Sequence, residues 1–144
     1  MADLPDETKY RFVAVLNKKA ELGRLLNALG HMTAGLVGTY SKENDFCFLE
    51  YRDADNGLHP IISHFPFIVL KADNSNQIRT LRNSLIEQRL PFNDFTSTMT
   101  VGTSEEQQKA TRASSEAGLE YFGICTFGDT ETLKTLTKKF QLFR

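Results

Sequence analysis

The sequence of 144 residues contains no tryptophan, only four prolines and two cysteines, and no excess of either charge. Its 17 basic and 18 acidic residues give a net charge of −1, so the chain as a whole does not attract nucleic acid or an anionic membrane. No apolar run approaches the roughly 18 residues needed to cross a bilayer, and the N-terminus lacks the pattern of a signal peptide. We therefore expect a cytoplasmic protein without a membrane partner.

Residues that usually hold metals or cofactors are also few. Cys47 and Cys125 lie in apolar stretches without metal-site spacing, which predicts buried free thiols. The histidines at positions 31, 59 and 64 lack ligand spacing as well, so we expect no metal and no cofactor. The motifs GxSxG, GxGxxG, GxxxxGK[ST] and HExxH are absent, which disfavours the common hydrolase, dinucleotide-binding, phosphate-loop and zinc-protease classes.

The length and apolar content of the sequence predict one domain over residues 1–144, with 1–8 as a flexible N-terminal segment. Short apolar runs alternate with helical patterns, which is typical of a layered α/β fold. Strands are expected at 10–16, 45–52, 59–63, 65–71, 94–101 and 121–127, helices at 22–39, 75–89, 104–113 and 129–138, and a short strand or apolar tail at 140–143. Because some strands are almost wholly apolar, helices should cover both faces of the sheet.

The segment 22–38 predicts a helix with two contrasting faces. The expected core face consists of Leu22, Leu25, Leu26, Leu29, Leu36 and Val37. The opposite face is a small-residue stripe, formed by Gly23, Asn27, Gly30, Ala34 and Gly38 and edged by Arg24 and His31. Glycine inside a helix costs about 0.5–1 kcal/mol relative to alanine. The stripe therefore indicates close approach by a strand, a symmetry-related helix or a ligand, and packing against protein is the most frequent of these reasons.

A second polar pattern follows the expected helix 75–89. In an extended strand, Asp94, Thr96, Thr98 and Thr100 would share one face, and this face would be a row of hydroxyls headed by a carboxylate. Such a row fits either an exposed edge strand or the wall of a polar site.

Several blocks of the sequence together resemble a known family over nearly the whole chain. They are RFVAVLNKK, LGRLLNALGHMTAGLVG, FPFIVLKADNSNQIRTLRN, PFNDFTSTMTVGT and EYFGICTFGDTETLKTLTKKF. The family consists of small bacterial and fungal proteins known as domain of unknown function number two thousand, and its fold is similar to that of type-two peptidyl-tRNA hydrolases. The resemblance implies a three-layer α/β/α fold with a mixed sheet, and a homodimer.

The similarity to these hydrolases extends to particular residues of the helix 22–39. The hydrolases carry Gly-Lys-x-Ala-Ala-Gln, with a histidine seven places after the lysine. Gly23 and His31 match this motif, whereas Arg24 replaces the lysine and Ala28 the glutamine. The guanidinium of arginine stays protonated and spreads its charge over a planar group with several donors, whereas the ammonium of lysine is a compact charge. We therefore expect peptidyl-tRNA cleavage to be weak or absent, and we do not favour tRNA as a partner.

The threonine-rich segment is similar to a second hydrolase motif, Asp-Ala-Gly-x-Thr followed later by Gly-Thr. Asp94, Thr98 and the pair 102–103 match it, whereas Phe95 and Thr96 fill the Ala-Gly positions. The resemblance implies that the start of this segment lies beside the helix face that carries Arg24 and His31.

Three functions fit these residues. A hydrolase would use Asp94 to activate water, His31 as acid or base, and Arg24 to bind an anionic oxygen. A non-catalytic dimeric interaction protein would use the small-residue stripe as its contact. A binding protein would hold a small anionic or nucleotide-like ligand with Gly23, Arg24, Asn27, Thr96, Thr98 and Thr103.

We favour ligand binding. We also expect Arg24, His31 and Asp94 to converge on one partly exposed cleft, with Thr96 or Thr98 on its wall.

Overall fold

A computed structural model describes residues 3–42 and 45–144. In these residues the strands, in chain order, are β1 (Tyr10–Asn17), β2 (Phe48–Arg52), β3 (Leu58–Ser63), β4 (Phe67–Ala72), β5 (Phe92–Thr96), β6 (Tyr121–Asp129) and β7 (Gln141–Leu142). The helices are α1 (Leu22–Tyr40), α2 (Ser75–Glu87), α3 (Ser104–Arg112) and α4 (Thr130–Thr137). Short 3-10 turns occupy Ser97–Met99 and Glu116–Gly118.

The main sheet is mixed, as predicted. Its strand order is β5-β6-β1-β4-β7, in which β1 runs parallel to β4 and the other neighbours are antiparallel. The strands β2 and β3 form a separate antiparallel pair. The turn between them is held by Asp53, whose Oδ1 accepts the amides of Asp55 and Gly57 at 2.9 and 2.8 Å.

Both faces of the sheet are covered, because β1 lies at its centre and alternate residues of β1 face opposite layers. Phe12, Ala14 and Leu16 pack in the cluster that includes α1. Val13 and Val15 pack in the cluster that includes α2 and α4. The chain is therefore an α/β protein with helices on each side of a mixed sheet.

The face of α1 that packs on the sheet differs from the predicted one. Its buried residues are Leu25, Ala28, Met32 and Leu36. Leu22 and Leu26 are instead 55% and 58% exposed, and Leu29 and Val37 are half-buried beside the core. Leu25 and Leu36 are buried as predicted, and Ala28 and Met32 take the places expected for Leu22 and Leu26, so the buried face is rotated from the predicted one.

A glycine in the sheet explains why Met32 fits. A Cβ at Gly123 of β6 would lie 2.8 Å from Met32 Cε and 2.9 Å from Leu16 Cδ2. The absence of a side chain there lets the helix approach the strand.

The small-residue stripe does not pack against the described parts of this chain, so the expectation of tight packing is wrong within it. Gly30, Ala34 and Gly38 are exposed, and a Cβ at Gly30 or Gly38 would meet no described atom within 4 Å. The close approach occurs instead at Gly35, where a Cβ would lie 2.5 Å from Asn93 Nδ2. That amide donates to the carbonyl of Met32 at 3.3 Å, which joins β5 to α1.

The expected strand 94–101 ends at Thr96, so Asp94, Thr96, Thr98 and Thr100 do not form one strand face. A 3-10 turn begins at Ser97 and rotates the following side chains. The hydroxyl of Thr98 lies 2.7 Å from that of Thr96 and 2.8 Å from that of Thr111. These threonines therefore link the end of β5 to α3.

Both cysteines are free. Cys125 is fully buried, and this burial raises the pKa of its thiol to about 12, whereas Cys47 is half-buried. At the N-terminus, the Pro5 carbonyl lies 2.7 Å from His64 Nε2. The expected flexibility of residues 1–8 stays a prediction, and residues 1 and 2 lie outside the described part of the chain.

Candidate ligand-binding cleft

An open cleft of about 770 Å³ lies between the first half of α1, the loop 99–103 and the start of α3. Its lining residues are Glu21, Gly23, Arg24, Asn27, His31, Phe95, Met99, Thr100, Gly102, Thr103, Ser104 and Gln107. Two elements that are distant in sequence thus build one concave surface of the size that small-molecule sites have.

Two helices begin at this cleft. Glu21 precedes α1 without capping it through its side chain, and the first turn of α1 holds no acidic residue. Thr103 caps α3 by accepting the Glu106 amide at 3.3 Å, and Glu105 and Glu106 lie in the first turn. Free amides and the helix dipole make a helix N-terminus attractive to anions. The two glutamates offset this attraction in α3, and the carboxylate of Glu21, at the N-cap position, offsets part of it in α1.

The polar side chains of α1 line one side of the cleft. Arg24, Asn27 and His31 recur at intervals of three and four, so they share one helix face. Within the described residues, Arg24 forms one ion pair, in which its Nε lies 3.9 Å from Glu21 Oε2. Both side chains are more than half exposed. The His31 ring lies over Phe95, with 6.0 Å between the ring centroids. Arg24 is thus positioned to bind an incoming anion.

The loop that closes the cleft depends on Gly102. Its φ is +67°, a conformation that side chains rarely adopt, and a Cβ there would collide with the Glu106 carboxylate. Its carbonyl also accepts a long 3.5 Å hydrogen bond from Gln107 Nε2. The shape of the loop before α3 therefore requires glycine at position 102.

Asp94 is placed on the other side of the sheet. Its Oδ2 accepts from Arg82 Nε of α2 at 2.7 Å, and neither side chain is more than 26% exposed. Since neighbouring residues of a strand face opposite ways, Phe95 points into the cleft and Asp94 points towards α2. The expectation that Asp94 joins Arg24 and His31 in one cleft is therefore wrong.

The other predicted site residues divide in the same way. Gly23, Arg24, Asn27, His31 and Thr103 line the cleft. Thr96 is buried and Thr98 is bonded to its neighbouring threonines, and neither is among the lining residues.

Several lining residues were not predicted, namely Glu21, Phe95, Met99, Thr100, Ser104 and Gln107. Ser104 and Gln107 could have been found from the helix start at Thr103. They follow this capping residue by one and four positions, so they lie on the first turn of α3, beside the loop that carries Gly102.

Next to Asp94, a polar cluster beneath α2 is internally paired. The Glu116 carboxylate accepts from both Arg79 Nε and the Tyr121 hydroxyl at 2.8 Å. The hydrogen bonds from Arg79 and then Tyr121 lower the pKa of Glu116. Burial, followed by the bond to Glu116, raises the pKa of Tyr121 to about 12. This cluster holds the loop around Glu116 against α2 and Tyr121.

Within residues 3–42 and 45–144, no group of three or more His, Cys, Asp or Glu side chains could hold a metal ion. No helix of these residues combines the length and apolar character needed to span a bilayer.

The fold and the cleft thus define an α/β protein with a polar, ligand-sized concavity between two helix N-termini. The model of the family described as "Protein of unknown function (DUF2000)" matches residues 10–144, and the chain belongs to this family. Among curated proteins, none matches the chain.

Among solved structures, one similar fold is that of a protein of unknown function from Agrobacterium tumefaciens strain C58. The TM-score is 0.79 at 16% identity, over 94% of this chain and 98% of that one. At this identity the likeness concerns the fold alone.

Proposed function

We propose that the protein binds a small anionic, nucleotide-like ligand in the cleft between α1 and α3, within a fold similar to that of type-two peptidyl-tRNA hydrolases. The observation that carries the proposal is the position of Arg24. Its guanidinium lines the cleft beside the first turn of α1, and its contact with Glu21 is only a loose 3.9 Å. A guanidinium donates two parallel hydrogen bonds to a phosphate or carboxylate, and the helix N-terminus adds to this attraction.

The rest of the lining fits such a ligand. Asn27, Ser104 and Gln107 supply neutral donors and acceptors, whereas Phe95 and Met99 supply an apolar surface. A nucleotide combines a charged phosphate with a flat base, whose faces pack on apolar side chains and whose edges form hydrogen bonds.

Binding is favoured over hydrolysis by the position of the acidic groups. Asp94, the expected water-activating carboxylate, is held by Arg82 on the opposite face of the sheet. Glu21 is the acidic residue that lines the cleft, and its side chain is 77% exposed at the rim. A general base must reach its water within about 3 Å. Hydrolysis would thus depend on His31, for which the described residues offer no carboxylate partner.

The experiment is a calorimetric titration of the protein with adenosine monophosphate and, separately, with adenosine. We expect the monophosphate to bind and adenosine to bind more weakly, because Arg24 interacts with the phosphate. Arg24→Ala should weaken monophosphate binding by about tenfold, the effect of losing one charge-assisted contact. Arg24→Lys should fall between the two.

Arg52→Ala is the matched control. It removes the same charge from β2, where Arg52 donates to the Asn56 carbonyl at 3.1 Å outside the cleft, and it should leave the affinity unchanged. Equal weakening by both alanine variants would contradict the proposal. Turnover of an acylated substrate that is lost with His31→Ala would instead favour the hydrolase.

We propose as a second candidate that the small-residue stripe forms a homodimer contact. Gly30 and Gly38 have open space above them, and the exposed side chains of Leu22 and Leu26 lie on the same helix. Helices with small residues can approach each other closely, and a two-fold contact uses one patch twice. Light scattering at micromolar concentration should give twice the monomer mass of 16.3 kDa. A mass of one chain would contradict this candidate.

A further inference from the structure

A second, smaller pocket of about 210 Å³ lies beyond the carboxyl ends of β1 and β4. Lys18, which directly follows β1, and Asp73, which directly follows β4, line it. Lys71 of β4 and Lys139, just before β7, complete its charged wall. Since β1 and β4 are parallel, this is the edge at which their carboxyl ends meet. Ligands of open α/β sheets commonly bind outside that edge.

The pocket carries an excess of positive charge. Three lysines surround one carboxylate, Asp73, whose Oδ1 lies 2.7 Å from Lys18 Nζ. Within the described residues, neither Lys71 nor Lys139 forms an ion pair. An adjoining hollow is lined by Lys71 and Arg144, which adds another cation. This concentration of cations occurs in a chain whose total charge is −1.

The start of α2 fixes the acidic side of the pocket. The Asp73 amide donates to Gln77 Oε1 at 2.8 Å, and the Gln77 amide donates to Asn74 Oδ1 at 3.0 Å. The hydrogen bond from Lys18 lowers the pKa of Asp73, so this carboxylate is ionised at neutral pH and offsets the charge of Lys18. The charges of Lys71 and Lys139 are left for a ligand.

We propose that this pocket binds a small, multiply charged oxyanion of the phosphate type, at a site separate from the cleft. At about 30 Å³ per water molecule, its volume corresponds to about seven waters, which is enough for an inorganic phosphate and its hydration. The lysines can donate to several oxygens of one tetrahedral anion. Because the ion pair at the pocket is half exposed, binding is sensitive to salt.

The test is an NMR titration of the full chain with inorganic phosphate at constant ionic strength, with chloride as the comparison ion. Phosphate should shift the backbone amide resonances of Lys18, Lys71 and Lys139 along a saturable curve, and chloride should leave these resonances unchanged. Lys71→Gln and Lys139→Gln should each weaken binding by about two- to fivefold, the effect of an exposed charge pair. Asp73→Asn should tighten it, because this change frees Lys18.

Two control variants separate this site from other sources of binding. Lys134→Gln removes an exposed lysine of α4 that lies 3.7 Å from Glu131, outside the pocket, and should leave the affinity unchanged. Arg24→Ala should also leave it unchanged, whatever that variant does to nucleotide binding. The inference is overturned if phosphate does not shift the resonances of the pocket residues, if their shifts do not saturate, or if Lys134→Gln weakens binding as much as Lys71→Gln.

Discussion

Arg82 on α2 donates from Nε to Oδ2 of Asp94 on β5 across 2.7 Å, and this ion pair lies under the face of the sheet opposite the cleft. The Arg82 guanidinium carbon also lies 5.7 Å from the centroid of the Phe92 ring and 5.8 Å from that of Tyr121. Both charges are thus held by protein groups. The pair joins α2 to the edge strand β5 and provides no free carboxylate for chemistry in the cleft.

Asp94→Asn should therefore lower stability and leave ligand binding intact. The pair is largely shielded from water, so we expect a loss of about 1–3 kcal/mol in the free energy of unfolding. The coupling between the two residues is measured by denaturant unfolding of the wild-type protein, Asp94→Asn, Arg82→Met and the double variant. If Asp94→Asn abolished nucleotide binding with the fold unchanged, Asp94 would have a role in the cleft after all.

The two kinds of helical glycine in α1 should respond oppositely to alanine. Gly30→Ala fills open space and should raise the free energy of unfolding by about 0.5–1 kcal/mol through helix propensity. Gly35→Ala places a Cβ 2.5 Å from Asn93 Nδ2 and should be destabilising, because that amide must release the Met32 carbonyl. Chemical denaturation of both variants provides the comparison. Equal effects of the two substitutions would show that α1 does not approach β5 at Gly35.

The Tyr121 hydroxyl should make stability depend on alkaline pH. Its pKa is raised from 10.0 to about 12. The neutral phenol therefore contributes stability fully below about pH 10, and this contribution is lost as the pH rises through 12. We expect the denaturation midpoint of the wild-type protein to fall more steeply over this range than that of Tyr121→Phe.

Absorbance can check the same titration directly. The phenolate absorbance of wild-type protein minus that of Tyr121→Phe should rise with a midpoint near 12. A midpoint at the ordinary value of 10 would contradict the burial of the phenol and its bond to Glu116. The lowered pKa of Glu116 has the opposite effect on the pH dependence of stability. The stability that ionised Glu116 contributes is lost as the pH falls through its folded-state pKa.

Much of the secondary structure could be predicted from the sequence, because apolar periodicity and turn residues are local signals. The predicted helix 22–39 and strand 10–16 differ by one residue at their ends from α1 and β1. The apolar spacing of α1 did not identify its buried face. Leu22, Leu25 and Leu26 are all consistent with helical spacing, and the position of the sheet decides which of them is covered.

The strand 94–101 was misjudged for a different reason. Threonines at every second position resemble a strand face, yet the same hydroxyls can bond to each other across a 3-10 turn. Thr96, Thr98 and Thr111 do so, and Thr111 is too distant in sequence for a local pattern to include. The common position of Arg24, Asn27 and His31 on one side of the cleft could be predicted, because the three residues share one helix face. The position of Asp94 could not, because strand pairing decides which face of the sheet its side chain occupies.

Amide shift mapping by NMR tests whether Arg24 holds an anionic ligand in the cleft. On titration with adenosine monophosphate, we expect saturable shifts of the amide resonances of Gly23, Arg24, Asn27, Thr103 and Gln107. Inorganic phosphate should reproduce them weakly, and Arg24→Ala should need about tenfold more ligand to reach the same shifts. Shifts confined to other surfaces, or an unchanged titration of the cleft in Arg24→Ala, would show that Arg24 does not hold the ligand.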